Sequence, residues 1–348
     1  MERKHADKSF YNIPFEIKNF NGMPYRKLGK SGLSVSDVGL GTWKMGYPEK
    51  GDGSRIDSKT SLQILDKAVD LGVTFWDTAN RYNNASGNSE RLIGSWFKGN
   101  PDQRRNVVLA TKLSGGMDGL TPNHCGLSRT NIMESVYASL ERLQSDYIDL
   151  LYFHSYDPST PHEESLLAIE DLVKQDLIRH FSVSNFTAEQ LGTYQLLEKD
   201  LSPRVRILAV QNRFDILNGE EAAFKGTMKY AENAGISFIA WSPMGKGLLT
   251  NKYLEPKAGG PGDRLFDEGG IENVITAETA QKLYNLSVIA GELNVELSQL
   301  VIAYMLKLPG MGPVIPSSSN LKQLESNATA AQIQLNVDQM ERILLAVK

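Results

Sequence analysis

Phe75-Trp76-Asp77-Thr78-Ala79-Asn80-Arg81-Tyr82 runs from an apolar strand end to a carboxylate and, five residues on, a phenol. The segment leading into it, Gly72-Val73-Thr74-Phe75-Trp76, is short, β-branched and aromatic and follows a helical pattern, which predicts a buried parallel strand. Asp77 then falls at the C-terminal end of that strand. In an alternating β/α chain loops gather and ligands bind at this end, so a charge there points to chemistry. Taken alone, the stretch reads equally well as a turn cap with Tyr82 on the loop surface.

Working outward, strand and helix patterns alternate along the chain. Strands are predicted at Val38 to Thr42, Val73 to Trp76, Val107 to Thr111, Ile148 to Phe153, Phe181 to Ser184, Ile207 to Val210, Ser237 to Trp241 and Gly312 to Ile315. Helical periodicity marks Lys59 to Leu71, Glu90 to Phe97, Arg129 to Leu143, Glu163 to Lys174, Ala188 to Leu197, Ala222 to Asn233, Ala277 to Leu293 and Ser298 to Leu308, with a last helix starting at Leu321. Eight strands, each followed by helix and with no compositional break, predict one (β/α)8 TIM barrel over residues 24–348. A doubly wound sheet is the runner-up, weakened because no early strand-to-helix turn carries G-x-G-x-x-G. Ahead of the repeat, Tyr25 to Leu28 and Leu33 to Ser36 flank the turn Gly29-Lys30-Ser31-Gly32 as a hairpin, and residues 1–23 form an extension expected to be loosely ordered. A Gly/Pro-rich insertion, Gly245 to Gly270, follows the seventh strand.

Composition narrows the function. Among 348 residues, 37 basic against 41 acidic side chains give a net charge of −4, which carries no electrostatic footprint for nucleic acid. No apolar run approaches a membrane span and no signal peptide is evident, so no membrane partner and a cytoplasmic location are expected. Cys125 is the sole cysteine, which excludes an intrachain disulfide and a thiolate metal site. His5, His124, His154, His162 and His180 show no paired ligand spacing, and no metal is expected.

Successive strands end in complementary polar residues: Asp77 after the second, Lys112 after the third, His154 after the fourth. In a barrel these ends face one pocket, with Tyr82 a short loop away. The group suits protonation of a carbonyl oxygen while a hydride reaches the carbon. A free phenol, with pKa near about 10, is a sluggish donor, and a neighbouring Lys112 ammonium held by Asp77 is expected to lower it. Tyr82 is then the general acid, and His154 bonds the substrate oxygen or shares the proton.

Gly39-Leu40-Gly41-Thr42-Trp43, Phe75-Trp76-Asp77-Thr78-Ala79 leading to Tyr82, Asn88-Ser89-Glu90, Ala110-Thr111-Lys112, Asp149-Leu150-Leu151-Tyr152-Phe153-His154 and Val183-Ser184-Asn185-Phe186 resemble the aldo-keto reductase superfamily, in family order from about Pro24 onward. The resemblance implies a (β/α)8 barrel closed at its base by the N-terminal hairpin. It also implies a catalytic tetrad of Asp77, Tyr82, Lys112 and His154, and nicotinamide dinucleotide binding without a Rossmann motif. On matching positions, Ser184, Asn185 and Gln211 hold the carboxamide and Trp241 stacks on the nicotinamide. Ser242, Pro243, Met244, Gly245, Gly247 and Leu248 run along the pyrophosphate, with Thr42, Trp43 and Asp77 also beside the cofactor. Near the 2′-phosphate, Ser317, Ser319, Gln323 and Asn327 are neutral where many members offer Lys and Arg, a pattern more like the potassium-channel β-subunit branch. There the insertion supplies basic residues, here Lys252 and Arg264, so NADP(H) is favoured, with NAD(H) as the alternative.

Trp43, Tyr82 and His154 are expected to touch substrate, with Tyr47, Asn83, Tyr156 and the loop Ser114 to Leu127 around them. Asn80, Asn83 and Asn84 suit a hydroxylated, sugar-like carbonyl compound or serve as turn residues. The leading expectation is a reversible NAD(P)H-dependent reductase of aldehydes or ketones. The alternatives are a cofactor-binding regulatory or scaffold subunit with negligible turnover, and a keto-sugar epimerase. Substrate, direction and oligomeric state are not specified by the sequence.

Overall fold

A computed structural model describes residues 17–201, 204–254, 259–269 and 271–348. Eight parallel strands pair in chain order: Leu40–Gly41, Phe75–Asp77, Val108–Leu113, Ile148–Phe153, Ile178–Ser184, Ile207–Asp215, Ser237–Trp241 and Met311–Ile315. Parallel bridges Val38 to Val314 and Gly41 to Ser317 join the first strand region to the last, so the sheet curls into a (β/α)8 TIM barrel. The helices between the strands form the outer layer, among them Ser58–Asp70, Asn88–Gly99, Arg129–Leu143 and His162–Lys174.

The two-residue strand period sorts the core. Phe75, Ala110, Leu150, Tyr152, Ala209, Ile239 and Ile315 pack in one cluster with Leu28 and Val35 of the hairpin. Trp76, Leu109, Leu151, Phe153, Val183, Val210, Phe238 and Val314 alternate with them along the strands and join the apolar faces of the helices in the other. The hairpin, Met23–Lys27 with Ser34–Ser36, closes the base of the barrel. Arg26 pairs with Asp37 at 2.7 Å and donates to the carbonyls of Met311 and Gly312 at 2.9 and 3.0 Å, while the Gly29 amide donates to Ser237 Oγ.

Several boundaries depart from the periodicity. The sixth strand runs on to Asp215 because Gly219, at φ +67°, turns the chain so that Gly219–Glu220 pairs back antiparallel on Asp215 and Phe214. The helix expected over Ala222 to Asn233 is broken at Gly226, φ +91°, into Ala222–Phe224 and Thr227–Ala234. A helix at Val337–Ala346 had no counterpart in the reading of the sequence, although Asn336 and Gln339 form a capping box at its start. The extension expected over residues 1–23 is partly ordered: Asn19–Phe20 pairs with Met23 and Pro24 and Met23 is buried, whereas residues 1–16 lie outside the described ones. In the insertion Gly245 to Gly270 the described residues form short turns and the helix Arg264–Asp267, with 255–258 and 270 outside them. No single helix among the described residues is long and apolar enough to cross a membrane.

Gly29 marks where the hairpin meets the barrel floor. It has φ +53°, and a Cβ there would stand 2.4 Å from the Leu208 carbonyl oxygen. Gly29→Ala is therefore expected to cost at least about 2 kcal/mol of stability in urea unfolding, through the left-handed backbone and the collision together. A change below about 0.5 kcal/mol would show that the hairpin does not bear on the floor.

Candidate active site

Asp77 ends the second strand, Lys112 is the penultimate residue of the third, and His154 follows the fourth. Barrel geometry therefore brings all three to the C-terminal mouth. The Lys112 Nζ is buried and donates to Asp77 Oδ2 at 2.6 Å, to the Thr78 carbonyl at 2.9 Å and to Tyr82 Oη at 3.0 Å. From across the barrel Gln211 Nε2 donates to Asp77 Oδ1 at 2.8 Å. Tyr82 Oη lies 3.4 Å from Asp77 Oδ2, and the Tyr82 and His154 rings meet edge to face at 6.1 Å between centroids.

The electrostatics differ from expectation at the phenol. Burial and the Asp77 carboxylate push the Tyr82 hydroxyl well above its ordinary value, although Lys112 stands where a lowering influence was expected. In the resting site Tyr82 is thus a neutral phenol carrying its proton. Burial lowers the Lys112 ammonium and Asp77 opposes that loss. Burial, with the charges of Lys112 and Arg81 behind it, brings His154 down to about 3, so its imidazole is neutral.

Tyr82 is set by an unusual turn. Asn83, Asn84 and Ala85 all hold left-handed backbone at φ +57°, +57° and +58°. Asn tolerates this conformation, whereas for Ala85 it costs about 1–2 kcal/mol. The turn is tied down from within, because Asn83 Nδ2 donates to the Met45 carbonyl at 2.7 Å and to Ser89 Oγ at 3.2 Å. Asn83 is thereby a buried turn residue. Asn80 is buried too, with neither amide atom partnered among the described residues. Tyr156, another expected wall residue, pairs its hydroxyl with His162 Nε2 at 3.0 Å.

The residues expected around a nicotinamide also converge. Asn185, at φ +56°, donates from Nδ2 to the His154 carbonyl at 2.8 Å and to Ser184 Oγ, and its Oδ1 accepts from Trp241 Nε1 at 3.2 Å. Ser184 Oγ donates to the Gln211 carbonyl. Thr42 is buried and donates to the Asp77 carbonyl from both N and Oγ1. Beyond Trp241 the loop from Ser242 through Pro243 and Met244 to Leu248 reverses sharply, with Ser242, Gly245, Lys246 and Gly247 all at positive φ. A Cβ on Gly247 would meet nothing within 4 Å, so that backbone is open to close approach by a ligand. Amide and hydroxyl groups beside His154, followed by an open glycine loop, fit a carboxamide and a pyrophosphate.

At the far end, Ser319 donates from N and Oγ to Gln323 Oε1 at 2.8 Å, Asn327 donates to Ser318 Oγ, and Ser317 is exposed. Lys252 pairs with Asp263. The Arg264 guanidinium lies over the Trp43 ring at 4.1 Å and pairs with Glu268 at 2.8 Å, and Glu268 pairs also with Lys246. Trp43 carries Lys44 Nζ at 4.0 Å from its centroid as well.

A family model described as "Aldo/keto reductase family" matches residues 37–346. The chain belongs to this family. Among similar proteins, a "Probable voltage-gated potassium channel subunit beta" of Arabidopsis thaliana is 31% identical over 331 residues, covering 92% of this chain and 97% of that protein. Its counterpart of the same name from Oryza sativa subsp. japonica is 31% identical over 315 residues, 89% of this chain and 92% of that protein. "Aldo-keto reductase AMT2" of Alternaria alternata is 31% identical over 342 residues, 92% of this chain and 90% of that protein. Membership of the aldo/keto reductase family supports carbonyl reduction with a nicotinamide cofactor in general terms, on a small-molecule carbonyl.

Two features of this member were not legible beforehand. Beneath Lys112, Thr111 Oγ1 donates to Glu90 at 2.6 Å; Arg142 Nε donates to the other Glu90 oxygen at 2.7 Å and its Nη1 to Asp118 at 2.5 Å. Glu90 lies in the quoted Asn88-Ser89-Glu90 motif, but its partners come from distant segments. Tyr152 is the second: wholly buried, with Lys112 Nζ 5.5 Å from its ring.

His154 provides a pH test. Its folded pKa lies below the unfolded value near about 6.5, so between about pH 6.5 and about 3 the unfolded chain binds the extra proton. Its contribution to stability is constant above that window and declines as pH falls through it. In an NMR titration the His154 ring signals are expected to stay fixed from about pH 8 to about pH 5. A midpoint near about 6.5 would remove the neutral imidazole from this picture.

Proposed function

We propose that the protein reduces an aldehyde or ketone to the alcohol, reversibly and with NADP(H) favoured over NAD(H), in the cytoplasm and as one barrel domain over residues 24–348. The observation that carries this reading is the Lys112 ammonium, whose three donors serve Asp77, the Thr78 carbonyl and the Tyr82 hydroxyl. A bound reduced nicotinamide would supply the hydride to the carbonyl carbon. The side chains do the rest. With the substrate oxygen between Tyr82 and His154, the neutral imidazole donates a hydrogen bond without surrendering a proton. Tyr82 turns its hydroxyl from Asp77 to the oxygen and protonates it as negative charge develops there. Lys112, 3.0 Å away, stabilises the phenolate left behind. In the oxidative direction the same phenolate takes the proton back.

Ser184, Asn185 and Gln211 are the groups we assign to the carboxamide, Trp241 to the ring and the Ser242 to Leu248 loop to the pyrophosphate. Preference for a 2′-phosphate rests on Lys252 and Arg264, which would exchange Asp263 and Glu268 for the ligand oxygens. Ser317, Ser319, Gln323 and Asn327 contribute neutral contacts. The relatives named as channel β subunits favour a second reading, a cofactor-binding subunit with negligible turnover.

Cofactor oxidation by the purified protein, with NADPH and NADH in parallel, separates the two. Tyr82→Phe is expected to lower kcat by about 10²- to 10⁴-fold while NADPH affinity, followed by fluorescence, is unchanged. Tight NADPH binding without turnover on simple aldehydes, keto sugars or dicarbonyls would favour the subunit reading. Arg264→Ala is expected to lower the ratio of NADPH to NADH affinity by about tenfold. An unchanged ratio would take Arg264 out of phosphate recognition.

A further inference from the structure

Arg81 stands directly before the proton donor and has no place in the chemistry above. It is exposed, and its guanidinium has neither an ion pair nor a hydrogen bond among the described residues. Arg104, Arg142 and Arg264, by contrast, are each held by a carboxylate. Arg81 lies across the backbone of Gly115, at the start of the loop Ser114 to Leu127 that follows the third strand. A Cβ on Gly115 would fall 2.2 Å from Arg81 Nη1, 2.5 Å from Cδ and 2.9 Å from Cζ. Gly115 does not hold a left-handed φ, so what the missing side chain makes room for is the arginine.

The seat itself is fixed. Further along the same loop, Asp118 is gripped by Arg142 through Nη1 at 2.5 Å and Nη2 at 3.4 Å. At its far end the Gly126 amide donates to the Ser114 carbonyl at 2.6 Å and the Leu127 amide to Asp157 Oδ2 at 2.8 Å. The guanidinium thus lies against a loop whose two ends are tied by hydrogen bonds, and its charge is felt at His154. A planar fork with unengaged donors beside the proton donor suits bidentate recognition of a carboxylate or phosphate.

We infer that the substrate carries an anionic group, and that Arg81, seated on Gly115, binds that group while the carbonyl lies between Tyr82 and His154. This rests on the reductase reading and names its substrate class: an aldehyde or ketone with a carboxylate or phosphate close to the carbonyl. Lysine would supply charge without the fork. Because Arg81 is exposed, solvent moderates its grip, and the selectivity it confers is of the order of 10-fold.

Initial rates of NADPH oxidation test this with two matched pairs. 4-Carboxybenzaldehyde against methyl 4-formylbenzoate probes the carboxylate, and glyceraldehyde 3-phosphate against glyceraldehyde probes the phosphate. In the unaltered protein kcat/KM is expected to favour the anion of at least one pair by roughly 10-fold or more, mainly through KM, with the favoured pair naming the anion. Arg81→Ala should collapse that ratio toward one, Arg81→Lys should restore part of it, and Gly115→Ala, which displaces the guanidinium, should lower it as Arg81→Ala does. Equal kcat/KM within both pairs would overturn the inference. So would Arg81→Ala lowering both members of the favoured pair in the same proportion, even with the reductase reading intact. No turnover of the neutral or the anionic compounds would mean that the reductase reading had failed, and this inference with it.

Discussion

The arrangement depends on one buried ion pair. Lys112 and Asp77 are both removed from water, and an isolated charge in such a place is strongly disfavoured. What makes the pair tenable is complete engagement. The ammonium has three donors and three acceptors receive them; the carboxylate takes Lys112 on one oxygen and Gln211 on the other. Of these partners only Tyr82 Oη can be taken up by a substrate without stripping either charge of its remaining support. The group that exchanges partners during a reaction is thus the phenol, and the pair beneath it stays fixed.

That constraint explains why the site spans the whole barrel mouth. Asp77, Lys112 and Gln211 come from the second, third and sixth strands, and Gln211 reaches Asp77 from 134 residues away in sequence. Only closure of the sheet puts these strand ends around one space. The hairpin across the other end, with Leu28 and Val35 in the same cluster as Phe75 and Tyr152, keeps water from reaching the pair from below.

Much of this was legible in the sequence, for a physical reason. Strand period, helix period and a polar residue at each strand end are local signals, and they place Asp77, Lys112 and His154 correctly without any knowledge of contacts. Three things were not local. The break at Gly226 and the doubling back at Gly219 depend on positive φ, which one glycine among 30 does not announce. The role of Glu90 depends on Arg142 and Asp118, far off in sequence and joined only when the helices pack. The state of the Tyr82 phenol depends on a balance between burial, Asp77 and Lys112. Proximity to an ammonium alone predicts the wrong direction for the resting site.

At the base, positive φ is held by Gly29, Gly72, Gly235 and Gly310, where it costs little; just after helices, Gln144, Asp176 and Asn294 hold it too. At the mouth it falls on Gly245 and Gly247 and also on Asn83, Asn84, Ala85, Asn185, Ser242 and Lys246, which flank the ends of the strands bearing Asp77, Ser184 and Trp241. Non-glycine residues persist in that region only when their surroundings over-determine them, and here internal bonds from Asn83 and Asn185 do so. A glycine at those positions would relax the backbone but would also lose the side chain that fixes the turn. The turns at Asn83 and Asn185 retain the strain because these residues position Tyr82 and His154.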